Sequence, residues 1–113
     1  MSNTSKITES PPAAVEEALR RLGRNIRIAR LRRKLRIEDV AERIGASRFT
    51  VSDLEKGKPA TSAAAYFGAL WALGLIDQAA ELADPDRDEE GKTLESARQP
   101  TQAPRRRRLD NDF

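Results

Sequence analysis

Two short segments of helical periodicity meet at a glycine, and that junction constrains this chain more than any other feature. Ile37, Val40, Ala41 and Ile44 recur at steps of three and four; Gly45-Ala46 interrupts them; Val51 and Leu54 resume the pattern. Such spacing gathers each set on one helix face, so the predicted helices run over 37–44 and 48–55. Gly45 takes the turn, and Ser47 is placed to cap the second helix by accepting from an early backbone N–H. Lys56-Gly57-Lys58-Pro59 ends that helix, because glycine adopts the left-handed cap and proline blocks continuation. Helices joined so tightly cross at close range, which requires a residue as small as Ala41.

The flanking sequence predicts three more helices and no strand. Pro11-Pro12 leads into a helix over about 13–33, with Glu16 and Glu17 at its positive end. Val15, Leu19, Leu22, Ile26 and Ala29 form its apolar stripe, and Leu31 falls off it. A fourth helix, about 62–73, opens behind Thr61 or Ser62 and carries Ala65, Ala69, Leu70 and Trp71 before Gly74. A short fifth, about 76–83, ends before Pro85. The fold class is therefore all-α, a five-helix domain with a charged, mostly disordered C-terminal tail. Residues 1–12 read as a disordered N-terminus, 13–83 as the folded domain and 84–113 as the tail, in which only 92–98 has a faint helical pattern.

Composition narrows the chemistry. The 113 residues include no cysteine and no histidine, which removes disulfides, thiolate metal sites and the commonest general base. No glycine-rich phosphate loop or convergent carboxylate pair stands out. The expectation is no catalytic residue, no metal, no cofactor and no enzyme. No apolar run approaches the roughly 20 residues that span a bilayer, and the polar start lacks a signal-peptide core, so a cytoplasmic protein without a membrane partner is expected. The net charge of +3 conceals an asymmetry. Residues 18–37 hold nine basic side chains and no acid; residues 77–95 hold eight acids against Arg87 and Lys92. This suggests an anionic partner for the first block and a separate role for the second, unless both are solvated helix faces.

A helix, a tight glycine turn and a second short helix make a helix-turn-helix arrangement. In it the second helix can lie in the major groove of DNA, about 12 Å wide. Leu35-x-x-Glu38-Asp39-Val40-Ala41-Glu42-Arg43-Ile44-Gly45-Ala46-Ser47-Arg48-x-Thr50-Val51-Ser52-x-Leu54-Glu55-Lys56-Gly57-Lys58 resembles the lambda-repressor-like (Xre) family of regulators over about residues 19–76. The resemblance implies that the helix 48–55 reads DNA, with Arg48, Phe49, Ser52 and Asp53 toward base edges. Arg48 is the candidate for guanine, since a guanidinium pairs bidentately with O6 and N7. Phe49 would touch a thymine methyl group, or else be a core or dimer residue. Asp53 would accept from cytosine, or orient Arg48 or another arginine. Arg36, Ser47, Thr50, Lys56 and Lys58 are the candidate phosphate contacts, which position without reading; Ser47 has capping as its alternative. Arg30 and Glu55 match a family ion pair that ties the first helix to the reading helix.

Two positions depart from the family pattern. Ile37 stands where many members have a DNA-contacting glutamine, so that contact is lost or moves to Arg36. Arg36 in turn stands where Ser or Thr usually caps the helix. Arg24, Arg27 and Arg32 are divided between phosphate contact and solvation.

Leu22-Gly23, Ala72-Leu73-Gly74 and the run Leu82-Ala83-Asp84-Pro85 to Arg98 are similar to HipB-type antitoxins. That resemblance implies a homodimer that binds double-stranded operator DNA, represses its own toxin-antitoxin operon and holds a HipA-type kinase toxin. A stand-alone phage-like or general Xre repressor is the alternative, as is a protein-binding adaptor without DNA affinity. For the dimer, Val15, Leu19, Leu75 and Ile76 are candidate interface residues, whereas Trp71 reads more naturally as core. Arg105–Arg108 would add non-specific DNA contact or simply be solvated.

Overall fold

Pro11-Pro12 separates two helices of very different length, α1 (Lys6–Glu9) and α2 (Ala13–Arg32). The computed structural model describes residues 5–98, in two units that divide after Ala80. The single turn α1 corrects the expectation of disorder throughout 1–12. It is held by the Ser5 carbonyl, which accepts from Thr8 and Glu9 at 3.0 Å each, and it buries nothing.

Helix α2 turns Gly23, Ile26, Ala29 and Arg30 inward. Its apolar stripe outruns the core, for Val15 near its start remains 38% exposed. The helix stops at Lys34, which lies in the left-handed region at φ 57°. There its N–H donates to the Leu31 carbonyl at 2.9 Å, while the Leu35 N–H reaches back to Arg30. A residue with a Cβ is strained at that φ. Lys34→Gly is therefore expected to raise stability by about 0.5–1 kcal/mol, read as a higher urea midpoint with unchanged slope.

Helices α3 (Ile37–Ile44) and α4 (Arg48–Glu55) have the bounds that the periodicity predicts. Val40 and Ala41 of α3 face Val51 and Leu54 of α4, all buried. Between them Gly45 has φ 69°, and the Ala46 N–H donates to the Ala41 carbonyl at 3.0 Å. Helix α5 (Ala63–Ala72) starts at Ser62, whose Oγ accepts from the Ala65 N–H at 3.1 Å. It closes the core with Tyr66, Ala69 and Leu70, joined by Leu73 just beyond its end. Full burial of a side chain such as Ile26, Val40, Val51 or Leu54 contributes roughly 1.5–3 kcal/mol. The Tyr66 hydroxyl donates to the Lys58 carbonyl at 3.0 Å and so ties α5 to the loop after α4. Burial, with the Asp53 charge second, pushes the Tyr66 pKa upward.

Two expectations for this end of the domain are corrected. Trp71 is 60% exposed rather than core. Residues 66, 69, 70 and 73 already complete a helical face, and residue 71 lies about 100° round from residue 70. Together with Phe67, four residues earlier, it forms a separate outward stripe. Residues Ile76–Glu81 form a 3-10 helix instead of an α-helix to 83. They bury no side chain that would hold a longer helix, and the Gln78 N–H donates to Leu75 three residues back.

The second unit contains a 3-10 turn, Pro85–Arg87, and helix α6 (Glu89–Arg98), where a mostly disordered tail was expected. Local polar bonds make both. The Asp84 carboxylate accepts from the Asp86 N–H at 3.0 Å, and Asp88 Oδ1 accepts from the Gly91 N–H at 2.9 Å. Glu89 and Glu90 suit the positive end of α6 and Arg98 its negative end. The arginine run 105–108 and Phe113 lie outside the described residues. Among the described residues no strand occurs and no helix is long and apolar enough to cross a membrane.

Candidate nucleic-acid interface

Helix α4 is clamped at its C-terminal end and open at its N-terminal end. At the clamp, α2 approaches so closely that a Cβ on Gly23 would strike the Leu54 carbonyl oxygen and come within 2.6 Å of the Glu55 oxygen. Just past α4, Gly57 has φ 73°, and a Cβ there would lie 2.6 Å from the backbone of Leu19 and Arg20. Sequence reasoning treated Gly57 only as a cap and Gly23 only as part of a family likeness. Both are also docking points between backbones.

The Arg30–Glu55 pair reinforces this end. Arg30 Nε donates to Glu55 Oε2 at 2.6 Å and Nη2 to Oε1 at 3.0 Å, while Nη1 donates to the Leu35 carbonyl at 2.9 Å. The two side chains are 7% and 5% exposed. The bond to Glu55 raises the Arg30 pKa against the opposing effect of burial. Geometry this short and bidentate is the strong form of a charged hydrogen bond.

At the open end, Ser47 spends its hydroxyl on the cap, accepting from the Thr50 N–H at 3.2 Å. Arg48 and Phe49 then project outward, 63% and 69% exposed. The Arg48 guanidinium lies over the Phe49 ring, 5.4 Å from its centre, a cation–π arrangement. Phe49 is not a core residue of this fold. Arg48, Phe49 and Ser52 line one shallow hollow with Ile37 and Glu38 of α3. A second hollow, lined by Thr50, Asp53, Lys58 and residues 60–62, lies beside them.

Charged neighbours differ from the sequence expectation at Asp53. Its carboxylate lies 3.5 Å from Lys58 Nζ, whereas Arg48 has Glu38 as its partner at 3.9 Å. Glu38 is the site residue that sequence reasoning passed over; it stands at the start of α3, about two turns from Gly45, and comes to Arg48 only through the crossing of the two helices. Arg36 opens α3 without a Ser or Thr. Asp39 compensates, accepting from the Arg36 backbone N–H at 2.7 Å. That bond, with the Arg36 guanidinium second, holds the Asp39 carboxyl below its usual range. Ile37 packs against the core, and Arg36, Lys56 and Lys58 are exposed.

Compared with known proteins, residues 21–89 match a family described as a helix-turn-helix domain. No curated protein and no solved structure matches the chain.

Proposed function

The chain belongs to the helix-turn-helix domain family, and on that premise we propose that it is a sequence-specific DNA-binding regulator, acting as a homodimeric repressor at a paired operator. The observation that carries this reading is the edge of α4 formed by the exposed Arg48 and Phe49 and the half-buried Ser52, held out by a helix whose far end is fixed. Arg48 would read guanine, Phe49 a thymine methyl, and Ser52 and Asp53 the adjoining positions. Arg36, Thr50, Lys56 and Lys58 would hold phosphates. A single short helix reads few base pairs, and two copies on half-sites about 34 Å apart read enough.

Selection from random duplexes followed by titration tests this. Arg48→Ala is expected to weaken the selected duplex on the order of 10- to 100-fold and to leave random DNA nearly unaffected. Equal binding of the selected duplex by both proteins would remove Arg48 from base reading. The finer assignment, a HipB-type antitoxin that holds a HipA-type kinase, rests on the sequence likeness at Leu22-Gly23, Ala72-Leu73-Gly74 and 82–98. Co-purification with a kinase encoded beside it would support that assignment, and failure to bind such a kinase would leave an operator-binding regulator alone.

A further inference from the structure

We propose that the outer face of α2 is a second polyanion-binding surface, which takes the phosphate backbone of a duplex other than the one read by α4. The inference rests on the DNA-binding reading above for its first duplex. Arg20, Arg24 and Arg27 follow one another at steps of four and three, with Arg21 beside them, all exposed. At 100° per residue they lie about 100–160° round α2 from the buried Ile26, and the rise of 1.5 Å per residue spreads them over about 10 Å.

This charge is sparsely compensated. On the reading side three of the four cationic candidate contacts are paired, Arg36 with Asp39 at 3.5 Å, Arg48 with Glu38 at 3.9 Å and Lys58 with Asp53 at 3.5 Å, and Lys56 is not, among the described residues. On the outer face of α2, Arg20 alone has an ion pair among the described residues, with Glu16 at 3.0 Å. No acid follows Glu17 along the helix, although Glu17 itself is exposed just past the first turn. Like charges three and four residues apart destabilise a helix, so the ridge works against the fold that carries it.

Two features indicate the occupant and its direction. The exposed side chains from residue 20 to 27 are four arginines and Asn25, all hydrogen-bond donors; the exposed Ile28 and Leu31 adjoin them on the same outer face, one turn further along. A protein interface needs an apolar centre, whereas a phosphate backbone needs donors and charge. Helices α2 and α4 bury Ile26, Ala29, Val51 and Leu54 in one core, and the ridge is turned about 100–160° from that core on α2. The proposal requires that a duplex seated on one surface does not reach the other.

The test uses the full chain and two duplexes. A short selected duplex is immobilised and loaded with protein, and capture of a second, labelled duplex of random sequence is measured at low salt. Arg24→Gln/Arg27→Gln is expected to cut capture on the order of tenfold, to leave affinity for the first duplex within about twofold, and to raise the melting temperature by about 2–4 °C. A rise in stability beside a loss of binding excludes simple misfolding. The proposal is overturned if the wild type captures no second duplex. It is equally overturned if the double variant loses the first duplex at one-to-one stoichiometry, which would place the ridge on the same DNA. Displacement of neither duplex by the variant, with poly-glutamate bound by the wild-type ridge alone, would assign the face to an acidic protein. A wild type that binds no duplex at all sinks the DNA-binding reading itself, an outcome distinct from these.

Discussion

Glu55→Ala is expected to lower stability by about 3–5 kcal/mol, because it leaves the Arg30 guanidinium buried with its charge uncompensated. For a domain of this size that is a large share of a total in the range of about 5–15 kcal/mol, and the melting temperature should fall on the order of 20 °C. Urea unfolding followed by circular dichroism measures it. Removing both charges, as in Arg30→Met/Glu55→Leu, should recover part of the loss, since a buried pair is often replaceable by apolar groups. Recovery stops short of completion because the Leu35 carbonyl loses the Arg30 Nη1 donor. A loss below about 1 kcal/mol for Glu55→Ala would mean that the pair opens to water in solution.

Gly57→Ala is expected to cost about 3 kcal/mol or more, from two separable causes. A left-handed φ of 73° penalises any residue with a Cβ by roughly 1–2 kcal/mol. The remainder comes from collision with the backbone of α2 at Leu19 and Arg20, which has no rotamer by which to yield. Gly45 is the control, with φ 69° and open space where its Cβ would stand. Asparagine tolerates the left-handed region, so Gly45→Asn should be nearly neutral while Gly57→Asn remains severely destabilised. Equal unfolding midpoints for the two asparagine variants would refute the close approach of α2.

These glycines also mark where sequence reading stops. The bounds of α3 and α4 were legible because every local signal agreed: a three-four apolar period, a glycine at the turn and a serine cap. Nothing local to Gly23 or Gly57 says that a backbone more than thirty residues away must lie against it. Glu38 was missed for the same reason, since only the crossing of α3 and α4 brings it to Arg48. The register of Trp71 was available, since residue 71 lies about 100° round from residue 70, beside the buried face rather than on it. Helix α6 was legible only as a faint pattern over 92–98, because apolar periodicity finds helices by their buried face and this one has none; Asp88 followed by Glu89 and Glu90 was the polar signature of its start. The single turn α1 is too short for any periodicity to register.

The clamp at one end of α4 has a consequence for how such a protein changes over generations. Structural work is concentrated at Gly23, Arg30, Leu54, Glu55 and Gly57, while Arg48 and Phe49 stand mostly in solvent and support little of the fold. On the proposed reading, substitutions at the exposed edge would therefore alter what is recognised without threatening the scaffold that presents it. A lineage whose edge reads DNA as proposed could explore new operators one residue at a time and remain folded throughout the search.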